Sequence, residues 1–258
     1  ERVMASFLAV IPARGGSKGI PNKNIKDFCG KPLIQWCIES AKKSGVFDRI
    51  IVNSDSAKIL DIARKCGVDV QGRPAELATD KALVADVMVD SLLRLDRKYD
   101  YVQLIQATSP GLRPAQIQGA AAMMRGLPPF ECWADKDVDM IIGVHRHNDP
   151  TIVVKPVPAD CCVKDWYPEE FKDKNRQDLP YAYRINGYIY LAKWDVWVKR
   201  KDYWKTNIYA YICDEHDDID IDTKWDWQVA EARFRAAGKG KPSWRRVCRR
   251  ILKRMLGR

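Results

Sequence analysis

Apolar residues along this chain alternate between short continuous runs and longer stretches with helical spacing. A short run indicates a strand covered on both faces, whereas apolar side chains three or four residues apart indicate an amphipathic helix. The runs predict strands at residues 7–12, 49–53, 68–71, 101–105 and 140–144. The spaced stretches predict helices at residues 32–43, 57–66, 83–95 and 114–125. This alternation of strands and helices predicts an α/β fold with a doubly wound, mostly parallel sheet.

Residues 149–183 break this rhythm, because proline, charged and aromatic residues mix there without a clear period. Regular patterns then return, with strands predicted at residues 185–191 and 207–213 and a helix at residues 225–237. We interpret the irregular stretch as an excursion from the core that serves as a lid or a dimerisation arm. The predicted parts are a nucleotide-binding α/β core (1–148), the excursion (149–183), a completion of the core (184–238) and a tail (239–258).

Charge is distributed unevenly over the 258 residues. The formal net charge is +10, and residues 239–258 contain nine Lys or Arg residues and no acidic residue. The rest of the chain is therefore close to neutral, which argues against a nucleic-acid-binding face. The tail carries apolar residues at helical spacing between its basic residues. This pattern favours a C-terminal helix packed on the fold, with contact to an anionic membrane surface as the alternative.

The sequence gives no sign of a membrane span or a zinc site. No stretch approaches the ~20 apolar residues that cross a bilayer, and we expect a cytoplasmic protein. None of the eight cysteines forms a C-x-x-C pair, so we expect free thiols.

The first predicted strand runs into a glycine-rich loop, residues 13–24 (ARGGSKGIPNKN). Ligands of doubly wound sheets bind beyond the carboxyl ends of the strands, where this loop begins. Its glycines let the backbone turn sharply and bring N–H groups close to an anion. The candidate N–H groups belong to Gly15, Gly16 and Ser17. The loop also carries three cations, Arg14, Lys18 and Lys23. We predict a triphosphate site that is neither a Walker A nor a G-x-G-x-x-G motif; the alternative is a solvated turn.

An acidic stretch at residues 214–222 holds the second candidate site. Its last four residues, Ile219, Asp220, Ile221 and Asp222, alternate between apolar and acidic. An extended backbone would place the two aspartates on one face and the isoleucines on the other. Neighbouring carboxylates repel unless a cation lies between them, and hard oxygen ligands suit Mg²⁺. Beside a basic loop we therefore predict a Mg²⁺ site, which requires both segments to reach one metal–triphosphate; the alternative is an exposed acidic strand.

Five segments, in order along the chain, resemble motifs of the CMP-sialic acid synthetases, or acylneuraminate cytidylyltransferases. They are residues 11–24 (IPARGGSKGIPNKN), 73–80 (RPAELATD), 104–110 (LIQATSP), 176–191 (RQDLPYAYRINGYIYL) and 218–226 (DIDIDTKWD). Five ordered motifs are far more specific than any one of them. The resemblance implies a nucleotide-diphospho-sugar transferase-like fold and a homodimer in which the excursion reaches the neighbouring subunit.

The resemblance also implies a reaction and a set of site residues. The anomeric hydroxyl of a sialic or legionaminic acid would attack the α-phosphate of CTP, giving CMP-sugar and pyrophosphate. Residues that would hold the nucleotide are Arg14, Lys18, Lys23, Asn24 and Arg73, with Mg²⁺ on Asp220 and Asp222. Residues that would contact the sugar are Gln106, Arg176, Arg184, Asn186 and Tyr190. The acidic nine-carbon sugar needs a forked cation for its carboxylate, and Arg176 and Arg184 are the two candidates.

Two departures from the family pattern keep alternatives open. After Asp80, relatives usually carry a Ser/Thr-rich stretch close to the nucleotide, whereas this chain has residues 81–84 (KALV); a GTP-using enzyme is one alternative. Relatives often place Lys or Arg near the sugar carboxylate at the position that Ile152 occupies here. Pseudaminic acid and KDO, an eight-carbon sugar acid, are alternative substrates. A non-catalytic sugar-nucleotide binding protein is the alternative from another class.

Overall fold

The computed structural model describes residues 5–130, 134–147, 174–175, 178–179, 181–199, 204–214 and 219–237. Arg176, most of the predicted excursion and the whole predicted tail lie outside these residues. The described residues contain the glycine-rich loop, both candidate metal ligands and the strands that position them.

Within the described residues, seven strands form a mixed sheet and two form a separate hairpin. The hairpin consists of β2 (Asp27–Phe28) and β3 (Lys31–Pro32). The sheet strands are β1 (Phe7–Pro12), β4 (Arg49–Ser54), β5 (Asp69–Gly72), β6 (Tyr101–Leu104), β7 (Met140–His147), β8 (Ala182–Lys193) and β9 (Ile208–Ile212). Their order is β5-β4-β1-β6-β8-β7-β9. Only β8 runs antiparallel to its neighbours, which confirms the predicted mostly parallel α/β sheet.

Helices cover both faces of this sheet. They are α1 (Leu33–Ser44), α2 (Ala57–Lys65), α3 (Val84–Leu93), α4 (Pro114–Met124), α5 (Trp194–Val198) and α6 (Lys224–Ala237). Helices α1, α2 and α4 bury their apolar stripes against one face, and α3 and α5 bury theirs against the other. A third apolar cluster joins α6 to the start of α1 and to Ile20 of the glycine-rich loop. The doubly wound arrangement follows from these amphipathic stripes.

The predicted elements agree with the structure except around β7, β8 and α5 and at the hairpin of β2 and β3, which was not predicted. β7 continues to His147 and β8 begins at Ala182, because the far ends of these two strands pair with each other. Local periodicity contains no information about such pairing. Helix α5 was not predicted, since five residues are too few to show a helical period. Its buried side chains, Trp194, Val196 and Trp197, close the second apolar face.

An irregularity in β8 brings its backbone close to the candidate site. Residues Ile142 and Val144, two apart on β7, pair with Tyr190 and Ile185, which are five apart on β8. The extra residues of β8 include Gly187, whose φ of +75° lies in the left-handed region that favours glycine. Bulges of this kind re-aim side chains next to functional sites.

The described cysteines, Cys29, Cys37, Cys66 and Cys213, are free thiols as predicted. Burial raises the pKa of Cys37 to about 12, so this thiol is inert at neutral pH. It donates to the main-chain carbonyls of Gln106 and Ser109 at 3.3 Å each and thereby supports the loop that follows β6. None of the helices in the described part of the chain has the length and apolar character needed to cross a bilayer.

Candidate functional site

The candidate site lies at the carboxyl edge of the parallel strands. β1 ends at Pro12 and runs into the glycine-rich loop, β5 ends just before Arg73, and β6 ends just before the loop that carries Gln106. Carboxyl ends of parallel strands meet at one edge of the sheet, so segments far apart in sequence converge there. The structure therefore gathers the predicted nucleotide-binding segments on one edge.

The glycine-rich loop lies directly against the aspartate segment (residues 219–222). A Cβ atom at Gly19 would come within 2.5 Å of the main-chain oxygen of Asp222. Lys23 donates from Nζ to Oδ1 of Asp222 at 3.0 Å and to the carbonyl oxygen of Ile221 at 2.5 Å. The Lys23 side chain is only 10% exposed, so this connection is a fixed part of the fold. The two segments are thus in direct contact, at Lys23 and beside Gly19.

The aspartate segment is held by its apolar residues and by hydrogen bonds at both ends. Ile219 and Ile221 are buried in the third apolar cluster, whereas Asp220 and Asp222 are exposed, which confirms the predicted alternation. The hydroxyl of Tyr188 on β8 accepts a hydrogen bond from the Ile219 amide at 2.6 Å. Strand β8, in the interior of the sheet, therefore positions this segment through the Tyr188 hydroxyl.

Helix α6 begins immediately after the aspartates and fixes their far end. The carboxylate of Asp226 accepts from the amides of Asp222 and Thr223 at 3.1 and 2.7 Å. The Thr223 hydroxyl accepts from the Asp226 amide at 3.1 Å in return. This reciprocal arrangement is a capping box, in which two side chains satisfy the free amides of a helix start. Its signal in the sequence is the T-x-x-D at residues 223–226.

Asp220 is the electrostatically strained member of the site. Partial desolvation and the nearby charge of Asp222 raise the pKa of Asp220, while a hydrogen bond from the Thr108 side chain and the charge of Lys23 oppose the rise. Thr108 belongs to the loop after β6, so this loop also reaches the aspartates. Its part in the site was not predicted, although it lies within the LIQATSP segment. A cation between these two carboxylates would relieve the repulsion between their charges.

Asp220→Asn is expected to raise the free energy of unfolding at neutral pH when no divalent metal ion is present. A raised pKa means that the folded state favours the protonated carboxyl, so ionised Asp220 destabilises the fold above the usual pKa of aspartate. After solvent screening, we expect a gain of a few tenths to about 1 kcal/mol. Urea unfolding at several pH values would measure it. The gain should vanish as pH falls below the usual aspartate pKa, and a variant less stable at pH 7 would contradict the assignment.

Two of the loop cations converge on a carboxylate outside the loop. Nη1 of Arg14 and Nζ of Lys18 both contact Asp80, the latter at 2.5 Å. Side-chain hydrogen bonds from Lys18 and then Arg14 lower the pKa of Asp80. The loop backbone is tied by Asp55, whose Oδ1 accepts from the Gly15 amide at 2.9 Å. Neither carboxylate was predicted to belong to the site, although Asp80 ends the RPAELATD segment.

Asn24 and Arg73 are held by side chains and carbonyls around the loop. Nδ2 of Asn24 donates to the Arg14 carbonyl at 3.0 Å. Arg73 donates from Nε to Oδ1 of Asn53 at 2.8 Å and from Nη2 to the Asn53 carbonyl at 3.0 Å. Desolvation lowers the pKa of Arg73. Asn53 in turn donates to Gln71 at 2.9 Å, so a polar chain across β4 and β5 orients the Arg73 guanidinium.

The predicted sugar contacts fall into two groups. Asn186 is buried beside the bulge of β8, and a Cβ atom at Gly187 would lie 2.5 Å from Oε1 of Gln106; the structure thus brings Gln106 next to the bulge. Arg184 is exposed nearer the start of β8 and donates from Nε to Nε2 of His145 at 3.0 Å. Tyr190 is half-buried and packs against the second apolar cluster.

The described residues do not provide enough clustered ligands to surround a metal ion with protein side chains alone. No three His, Cys, Asp or Glu side chains come together there as a metal site. Asp220 and Asp222 are the two predicted carboxylate ligands at this edge. This is the arrangement in which Mg²⁺ takes one or two carboxylates and fills its remaining positions with substrate phosphates and water.

A family model described as Cytidylyltransferase matches residues 8–226. The chain is 32% identical over 224 residues to an N-acylneuraminate cytidylyltransferase from Escherichia coli O18:K1:H7, with 87% of this chain and 51% of the relative covered. It is 31% identical over 240 residues to a CMP-N,N'-diacetyllegionaminic acid synthase from Legionella pneumophila, with 87% of this chain and 94% of the relative covered. The chain thus spans about half the length of the first relative and nearly all of the second.

The fold is also similar to that of a solved structure, a CMP:2-keto-3-deoxy-manno-octonic acid synthetase complexed with CTP. The TM-score is 0.68 at 18% sequence identity, and the match covers 90% of this chain and 99% of that chain. At this identity the similarity shows that the fold is shared.

Proposed function

The chain belongs to the cytidylyltransferase family, and from that premise we propose that it couples CTP to a nine-carbon acidic sugar of the sialic or legionaminic type. The products are the CMP-sugar and pyrophosphate. The names of the two relatives above support this substrate class. The observation that carries the proposal is the contact between the glycine-rich loop and the aspartate segment, made through Lys23 and Asp222 at 3.0 Å.

The glycine-rich loop supplies the triphosphate site in this proposal. Arg14 and Lys18 provide a forked cation and a point charge at the carboxyl end of β1, and both are accessible to solvent. Arg73 is oriented by Asn53 toward the same edge. A forked guanidinium together with an ammonium suits phosphate oxygens, which accept from both. These groups bind and orient the phosphates for attack by the sugar hydroxyl.

Asp220 and Asp222 are the proposed ligands of Mg²⁺. The fit of these two residues to a cation rests on the raised pKa of Asp220. The charge of Asp222 is one cause of that rise, and a bound cation would lower the pKa again. Held by Asp220 and Asp222, Mg²⁺ would supply positive charge that offsets the charge developing on the leaving pyrophosphate. Thr108 holds the Asp220 carboxylate in place, and Lys23 holds that of Asp222.

The sugar is proposed to bind between Gln106, the bulge of β8 and the exposed Arg184. Its carboxylate needs a cation with two parallel donors, which the Arg184 guanidinium provides. Arg176 is the second proposed cation, and it lies outside the described residues. Oδ1 of Asn186 accepts a hydrogen bond from the Tyr188 amide at 3.1 Å, and this bond fixes the bulge that faces Gln106.

A homodimer is part of the proposal. Tyr183 and Ile185 occupy alternate positions at the start of β8 and are 37% and 46% exposed, and Tyr181, one residue before the strand, is 48% exposed. Alternate residues of a strand point to one face, so Tyr183 and Ile185 form an apolar strip where β7 and β8 extend together, with Tyr181 directly before it in the chain. A second copy of the chain is the proposed partner for this strip. The expected cytoplasmic location and a membrane contact of the tail remain predictions.

One assay tests the function. Pyrophosphate release would be measured with each of four nucleoside triphosphates crossed against several nonulosonic acids and KDO, with and without Mg²⁺. We expect release only with CTP, Mg²⁺ and a nine-carbon acid. GTP is the informative comparison, because residues 81–84 replace the Ser/Thr-rich stretch that lies close to the nucleotide in relatives. Leu83 and Val84 are exposed there and offer no polar side chain. Binding of CTP without any release would instead identify a non-catalytic binding protein.

A further inference from the structure

Asp80 lies between two cations of the glycine-rich loop, the half-buried Arg14 and the exposed Lys18. One carboxylate oxygen, Oδ1, contacts Nη1 of Arg14, and the other, Oδ2, contacts Nζ of Lys18. Each oxygen of one carboxylate thus engages a different cation. Two phosphate oxygens would make the same pair of contacts.

Nothing else in the described residues holds the Asp80 side chain. Its carboxylate has no hydrogen bond or ion pair there except those with Arg14 and Lys18. Asp80 also lies in a turn between Ala75–Leu77 and α3, outside any helix or strand. A side chain on such a turn can move away without breaking a helix or a sheet ladder.

Exposure separates this contact from the one that Lys23 makes. The side chains of Lys18 and Asp80 are 81% and 41% exposed, whereas that of Lys23 is 10% exposed. Exposed ion pairs contribute little, because water screens them and the long side chains lose entropy. A triphosphate with several negative charges would therefore displace the single charge of Asp80 from Arg14 and Lys18, but would leave Lys23 on Asp222.

We propose that Asp80 is a displaceable counter-anion, which holds Arg14 and Lys18 in the nucleotide-free protein and yields them to the phosphates of the incoming nucleotide. The inference rests on the proposed function, since it takes the loop to be the triphosphate site. Asp80 then lowers nucleotide affinity, because each binding event must break its two ion pairs. In return it keeps both cations together at the carboxyl end of β1 while the site is empty.

Asp80→Asn tests this inference, because the amide keeps the shape and removes the charge. Isothermal titration with CTP and with inorganic tripolyphosphate would give dissociation constants for the wild type and the variant. We expect both ligands to bind between about twofold and 20-fold more tightly to the variant, since two exposed ion pairs no longer compete. The gain should be similar for both ligands, because Asp80 competes with phosphates and not with the base.

Asp61→Asn is the matched control. Asp61 forms an exposed ion pair with Arg64 on α2 at 2.6 Å, so its substitution makes the same charge change away from the loop. Lys18→Met distinguishes direct contact from long-range charge. In the Lys18→Met background, Asp80→Asn should give a clearly smaller gain, because only the Arg14 contact remains to be released.

The outcomes separate this inference from the proposed function. If the wild type binds CTP and Asp80→Asn binds it equally or more weakly, the counter-anion role is wrong while the proposed function stands. An equal gain in the Lys18→Met background, or an equal gain from Asp61→Asn, would also overturn the role. If neither the wild type nor Asp80→Asn binds either ligand, both the role and the function are wrong.

Discussion

Asp222→Asn is expected to reduce turnover by at least about 100-fold while the protein stays folded. The side chain of Asp222 is 75% exposed and, among the described residues, its cationic contact is Lys23, so an amide of the same shape fits and can still accept from Lys23. The main chain of Asp222 contacts Asp226 and approaches Gly19, and neither contact involves the Asp222 carboxylate. The variant therefore removes a charge from the proposed Mg²⁺ site and little else.

Pyrophosphate release at saturating CTP, measured over a range of Mg²⁺ concentrations, would show the loss. Asp137→Asn is a closely matched control: Asp137 is 74% exposed and contacts Lys193 at 2.8 Å, next to the start of β7. We expect the control to keep its turnover and both variants to unfold within about 0.5 kcal/mol of the wild type. A normal rate in Asp222→Asn would refute the metal assignment and leave the family membership untouched.

The sheet could be predicted in outline because its strands and helices carry local signals. Strands such as Phe7–Pro12 are buried on both faces and read as continuous apolar runs, and the helices between them show apolar stripes. The antiparallel insertion of β8 between β6 and β7 has no such signal. It depends on which strand edges remain open after the parallel part has formed, and the bulge around Gly187 depends on that pairing.

The candidate site could be predicted where it depends on residues that are close together in the sequence. The alternation from Ile219 to Asp222 predicts which side chains face solvent, and the structure agrees. The ion pairs could not be predicted, because they join residues far apart in the chain: Lys23 to Asp222, and Lys18 to Asp80. Three cations in one loop look equivalent in the sequence, and only the fold shows that Lys23 is buried, Arg14 half-buried and Lys18 exposed.

Lys23→Met is expected to destabilise the protein and to impair turnover together. The buried ammonium satisfies the Ile221 carbonyl and one oxygen of Asp222, and methionine fills a similar volume without a donor. Hydrogen bonds to charged groups contribute about 1.5–3 kcal/mol, and we expect a loss of unfolding free energy in that range. Turnover should fall by at least about tenfold, because the aspartates and the loop are no longer held together. Urea unfolding and pyrophosphate release would measure the two effects.

Lys18→Met is the matched control for that change. Lys18 lies in the same loop and its side chain is 81% exposed, so the same substitution should leave stability within about 0.5 kcal/mol of the wild type and weaken CTP binding. Equal stability losses in the two variants would show that Lys23 has no special structural part.

A second substitution identifies the physical origin of the Lys23 effect. The charge of Lys23 lowers the pKa of Asp220, so its removal leaves two carboxylates with less compensation. Asp220→Asn should then give a larger gain in unfolding free energy in the Lys23→Met background than in the wild type, and turnover should stay low because a proposed metal ligand is missing. If the two gains were equal, the loss in Lys23→Met would come from the unpaired Ile221 carbonyl and from packing. A larger gain in the Lys23→Met background would show that Lys23 stabilises the fold by offsetting the charge that the proposed metal site requires.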